Sequence, residues 1–150
     1  MRRAAATSTV PLPPHDALRL WKDVERWSTF VEGFARTLEL AREWPEEGAR
    51  VVWESNPEGR GRVTETVMHN APDCFSTQIF EEALMGTQTL RALPAGDGAG
   101  VELSLEYELV KYGPLRFVAD AIFIRRALRD SLRRTLFRFE IEAEEEARLR

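Results

Sequence analysis

The sequence predicts an α+β fold: a seven-stranded, curved antiparallel sheet around a long C-terminal helix, with two short helices after strand 1. Three observations carry this. From Thr37 to about Tyr112 the apolar residues recur at every second position, the period of a pleated strand. The breaks in that region are too short for the crossovers that parallel strands need. From about residue 115 to 147 the period becomes three or four, which makes one apolar stripe along a single helix.

The elements follow in order. Residues 3–10, RAAATSTV, are small and partly β-branched and make a first strand. Pro11, Pro13 and Pro14 break it, and proline suits the first turn of a helix because its missing N–H costs nothing there. Ala17, Leu20, Trp21 and Val24, then Trp27, Phe30, Val31 and Phe34, keep helical spacing. These give two short helices with a bend near Val24 to Ser28. Strands are expected at 36–44, 49–56, 61–70, 74–82, 86–93 and 101–111. The clearest is VELSLEYEL, where Val101, Leu103, Leu105, Tyr107 and Leu109 share one face and Glu102, Ser104, Glu106 and Glu108 the other. In the last helix Phe117, Ala121, Ile124, Leu128, Leu132, Leu136 and Phe139 form the stripe. A sheet with one apolar face needs a cover, and this helix has the length to supply it. A curved sheet gripping one helix leaves a cavity between them, which is where a ligand is first sought.

Length and composition set the limits. The 150 residues suggest one domain, 1–150, large enough to bury a core without crosslinks. A net charge of -4 argues against a dedicated nucleic-acid binder, so no DNA partner is expected. The single cysteine, Cys74, excludes an internal disulfide and reads as a small buried hydrophobe. The first residues, MRRAAATSTVPLPP, lack the apolar core of a secretion signal, and no run approaches the ~18 apolar residues of a membrane span. A cytoplasmic location is the expectation. A homodimer is left open.

The order of elements, with KDVERWSTFVEGF (Lys22 to Phe34) and NPEGRGRVTETVMHNAPD (Asn56 to Asp73) inside it, resembles the SRPBCC superfamily of START-like, helix-grip proteins. Its polyketide cyclase/dehydrase and aromatase branch is the most similar, and the resemblance runs from Val10 to about Glu144. It implies a seven-stranded helix-grip domain. It also implies that the strand GRVTETVMHN points Thr64, Thr66, Met68 and Asn70 into the cavity. Aromatases of this branch carry large aromatics, a serine and an arginine at those positions, and a tyrosine where this chain has Phe34. The arginine and tyrosine proposed to polarise carbonyls and move protons are absent here. A Thr-Thr-Met-Asn-Phe lining hydrogen-bonds but does not supply an acid–base pair, so no catalytic residue is assigned.

Periodicity alone turns the other face of that strand inward: Val63, Glu65 and Val67. A one-residue register change exchanges the two sets. We adopt the parity that the resemblance implies, because a cavity wall tolerates threonines and a buried Glu65 would need a partner. The expected lining is then Phe30, Phe34, Trp53, Thr64, Thr66, Met68, Asn70, Leu105, Tyr107, Phe117, Ala121 and Leu128.

Other chemistry finds little footing. His15 and His69 have no partner at metal-ligand spacing, so no metal and no cofactor is expected. Gly96-Asp97-Gly98-Ala99-Gly100 lies between two strands, a hairpin turn and not a phosphate loop. Arg91 faces the cavity in one strand parity and solvent in the other, and the solvent reading is preferred. Arg125, Arg126, Arg129, Arg133, Arg134 and Arg138 crowd the last helix and read first as a solvated face. The expected function is non-covalent binding of a hydrophobic small molecule: a lipid, quinone, isoprenoid or polyketide-like compound. The alternatives are a polyketide cyclase or dehydratase, and a protein- or RNA-docking module that uses the arginine-rich helix.

Overall fold

The computed structural model describes residues 2–56, 61–110 and 117–150, without the side chains of 117–121. Strand β1 spans Arg2–Val10 and is followed by helix α1, Pro14–Lys22. A 3-10 turn, Val24–Arg26, leads into the one-turn helix α2, Trp27–Phe30. Six strands follow: β2 Phe34–Leu40, β3 Arg50–Ser55, β4 Arg62–Asn70, β5 Cys74–Phe80, β6 Leu84–Ala95 and β7 Gly98–Leu109. Helix α3 closes the chain at Phe117–Arg148. The expected order of elements holds.

Local chemistry explains the joints. Pro14 opens α1 at a position with no backbone donor to lose, and the Asp23 carboxylate accepts from the Glu25 N–H to cap the 3-10 turn. Gly33, with φ of 76°, turns the chain out of α2. Phe34 therefore begins β2 instead of ending the second helix, and the helix stops four residues earlier than the apolar spacing suggested.

The seven strands form one antiparallel sheet in the order β1-β7-β6-β5-β4-β3-β2. Val101, Leu103, Leu105 and Tyr107 are buried and alternate with Glu102, Ser104, Glu106 and Glu108, as the sequence pattern required. Gly86 on β6 has no room for a side chain; an added Cβ would run into the Glu106 carbonyl oxygen of β7. The inner face is covered by α1, α2 and α3. Leu132, Leu136, Phe139 and Ala143 of α3 are all buried. The Phe139 ring lies 5.1 Å from Phe30 and 5.4 Å from Trp21, in edge contacts, while Trp21 stacks on Phe30 at 5.4 Å. A second run of rings, Phe34–Trp53 and Trp27–Trp44–Phe75, continues the core under β2 to β5. Ion pairs tie the C-terminal part of α3 down: Arg26 to Glu142 and Glu146 at 2.8 and 2.9 Å, and Arg150 to Asp16 at 2.8 Å.

Candidate functional site

Strand β4 decides what the interior looks like. Val63, Glu65 and Val67 are buried against the helices, whereas Thr64 and Thr66 are half-buried on the opposite face and Met68 is exposed. The parity adopted from the resemblance is thus inverted, and the hydrophobic period was the better guide. The physical reason is a pair of donors on neighbouring strands. Trp53 Nε1 on β3 donates to Glu65 Oε2 at 2.7 Å, and Thr77 Oγ1 on β5 donates to Glu65 Oε1 at 2.8 Å. Charge-assisted bonds of this kind contribute about 1.5–3 kcal/mol each. They offset the desolvation that made a buried Glu65 look unfavourable in the sequence.

A register shift between Val67 and His69 then breaks the alternation. It carries Asn70 to the rim, where its amide accepts from Lys22 Nζ at 3.0 Å and donates to the Pro45 carbonyl at 3.1 Å. Asn70 is therefore a clamp between α1 and the β2–β3 connection, not a wall of the interior. It borders a groove of about 400 Å³ that includes Lys22, Leu40, Trp44 and Pro45. Burial pushes the Lys22 ammonium pKa down there.

Four adjacent strands each give one polar or amphipathic group to the inner face: Trp53, Glu65, Thr77 and Gln88, the last opposite Thr77 on β6. Trp53, Glu65 and Gln88 line an enclosed cavity of about 30 Å³, roofed by Glu32 beyond α2 and by Ser131, Leu132 and Thr135 of α3. That volume holds about one water-sized group. The Glu32 N–H donates to Thr135 Oγ1 at 3.1 Å, which fixes the roof. Burial works to raise the Glu32 carboxyl pKa, but hydrogen bonds from Arg134 and Ser131 and the charges of Arg134 and Arg138 together outweigh it, and the carboxyl sits below its usual range. The second oxygen of Glu32, Oε2, is buried and has no hydrogen-bond partner among the described residues.

Tyr107 presents a second unmet group. It lies in the same cross-sheet row as Glu65, through the pairs Tyr107–Gly86, Gly86–Ile79 and Ile79–Glu65. Its side chain is 1% exposed, its hydroxyl has no partner among the described residues, and burial raises its pKa. Buried polar groups are almost always paired, so this hydroxyl calls for an explanation.

The other expected lining residues divide. Phe30, Trp53, Leu105 and Tyr107 join one buried core, with Phe34 and Leu128 half-buried against it. The side chains of Phe117 and Ala121 lie outside the described residues. Arg91 is on the outer face, 3.7 Å from Asp73. Glu65 and Thr77 were not among the expected lining, although the Val63-Glu65-Val67 period signalled the first. Among the described residues no group of three or more His, Cys, Asp or Glu side chains is placed to hold a metal ion. No helix there is long and apolar enough to cross a membrane.

The sequence profile of one family, described as polyketide cyclase / dehydrase and lipid transport, matches residues 1–144. The chain belongs to that family. No curated protein matches it. Solved structures of similar fold include a protein of Thermus thermophilus, 20% identical, with a TM-score of 0.76 over 97% of this chain and 99% of that one. The Zhui aromatase/cyclase of a Streptomyces species is 17% identical, with a TM-score of 0.73 over 97% and 95% of the two chains. Norcoclaurine synthase of Thalictrum flavum is 14% identical, with a TM-score of 0.71 over 97% and 96%. These likenesses establish the helix-grip fold of this polyketide cyclase/dehydrase family member. At such identities they do not carry a substrate across.

Proposed function

We propose that this family member binds a hydrophobic small molecule non-covalently between the sheet and α3. One observation supports the reading most: a single cross-sheet row holds a fixed acceptor, Glu65, and a buried hydroxyl unpaired among the described residues, Tyr107, both facing the helices. A core that served packing alone would gain nothing from either group, since apolar residues of the same volume avoid the desolvation cost. A ligand with a hydroxyl, enol or carbonyl gives the Tyr107 hydroxyl a partner. Its apolar body would sit among Phe30, Phe34, Leu105 and Leu128, each buried methylene contributing about 0.8 kcal/mol. The 30 Å³ cavity takes only the polar head, so binding moves side chains of the closed interior apart.

Native mass spectrometry of freshly purified protein, with solvent-extracted molecules identified alongside, tests this. The expected result is a stoichiometric apolar adduct whose retention falls about tenfold or more in Glu65→Leu. A protein that carries no adduct and also fails to bind a panel of apolar probes saturably would refute the proposal.

A second reading is a cyclase or dehydratase of polyketide-type substrates. The observation behind it is the same carboxylate: Glu65 is held by two donors and faces a cavity, the placement a general acid or base needs. Glu65→Gln separates the two readings. A carrier keeps part of its ligand affinity in this variant and has no turnover to lose. An enzyme keeps its ligand and loses turnover of a poly-β-carbonyl substrate by a factor on the order of 10² to 10⁴.

A further inference from the structure

Helix α3 begins where β7 ends. Arg125 Nε donates to the Arg3 carbonyl at 3.2 Å, and Ser8 donates to Glu140 at 3.1 Å, so α3 runs alongside β1 in the same direction. Because Arg2 pairs with Tyr107, the first turns of α3 and the last residues of β7 share one end of the molecule. Exposed apolar side chains stand among its described residues: Val110 is 59% exposed, Ile122 63% and Phe123 74%. With them stand three arginines, Arg125, Arg126 and Arg129, all exposed, and residues 122–129 contain no acid. Arg126 and Arg129 have no carboxylate partner among the described residues. A concentration of three positive charges in eight residues runs against the net charge of -4 of the whole chain. The face continues down the helix through Arg133 to Phe137, 65% exposed.

The chemistry selects among occupants. A second copy of the chain docking by the same end would set arginine against arginine, which costs free energy. Single-stranded RNA would use Phe123 and the arginines but has no use for Val110 and Ile122, since bases stack on aromatic planes. Exposed apolar side chains beside guanidinium groups match the boundary between acyl chains and phosphates in a lipid leaflet. We propose that this end docks the protein on an anionic phospholipid bilayer, Val110, Ile122 and Phe123 entering the acyl boundary and Arg125, Arg126 and Arg129 meeting lipid phosphates. The proposal stands apart from the interior site, because it needs no ligand there.

The test is flotation of the full chain with phosphatidylcholine vesicles, with and without phosphatidylglycerol, at low and at high salt. The protein is expected to float with the anionic vesicles only, and less of it at high salt. Each arginine near the surface is worth roughly fivefold in partitioning, so Arg126→Glu with Arg129→Glu should reduce binding by about 25-fold or more. Ile122→Ser with Phe123→Ser should abolish what binding survives high salt. These four side chains are exposed, and unchanged circular dichroism and melting would show that the variants fold. Equal binding to neutral vesicles, no binding to either, or variants that float like the parent each overturn the proposal. So does a shift of single-stranded RNA without flotation, which would make nucleic acid the occupant.

Discussion

In the C-terminal half of α3, Leu132, Leu136, Phe139 and Ala143 are buried, and Arg26 grips Glu142 and Glu146 from α2's approach. In the half before it, Ile124 and Leu128 are only half-buried, while Ile122, Phe123, Arg126 and Arg129 stand in solvent. One apolar stripe runs through both halves in the sequence. Spacing alone therefore states which side of a helix is apolar, and not how much of its length finds a partner. The neighbours decide that: the contacts described for α1, the 3-10 turn and α2 fall on the later turns, at Phe139, Glu142 and Glu146.

The comparison breaks most sharply in the core. Phe139→Ala should cost about 3–5 kcal/mol, because it empties the contact with Trp21 and Phe30. Leu128→Ala should cost only about 1 kcal/mol in the same denaturant titration. Similar losses at both positions would mean the two halves are equally packed.

Acid sharpens it next. Burial works against the charged form of Glu142, but hydrogen bonds from Thr29 and Arg26 outweigh it and hold the carboxyl below its usual range. Glu32, bonded by Arg134, is depressed as well. A carboxyl with a depressed folded-state pKa adds stability above its unfolded value, 4.5 for both groups, and loses it as pH falls further. Urea midpoints should therefore drop below that pH. The drop should be shallower in Arg26→Ala, which should itself cost about 1 kcal/mol at neutral pH. A parallel pH profile for the two proteins would remove Arg26 as the cause.

The smallest effect is expected at Tyr107. Tyr107→Phe removes a buried hydroxyl that is unpaired among the described residues, so ligand-free protein should melt unchanged or slightly higher, by up to about 1 kcal/mol. Ligand-loaded protein should lose affinity instead. A clear loss of stability without ligand would show that the hydroxyl is already satisfied.

Much of the fold was legible because it is periodic. Alternation in VELSLEYEL gave the sheet, the short breaks between strands gave its antiparallel sense, and the stripe of α3 gave its cover. The site was less so, because its key group depends on distant residues. Nothing near Glu65 in the chain shows that Trp53 and Thr77 will each place a donor beside it. Local spacing gave the right parity for β4, and the resemblance, applied position by position, gave the wrong one. Asn70 was misplaced for a related reason: the irregularity between Val67 and His69 shifts it to the rim, and bulges leave no reliable mark in a single sequence.

The place of β1 in the sheet has a consequence in time. Among the described residues its strand partner is β7 alone, and the register sets Arg2 opposite Tyr107 and Val10 opposite Ala99. During synthesis the first strand made is thus the last to find a neighbour. It must wait while the meander from β2 to β7 is completed, and its pairing closes a loop of about a hundred residues, a slow step for any chain. Until then its ladder of donors and acceptors is open to any other extended segment, and the assembled interior lacks one wall.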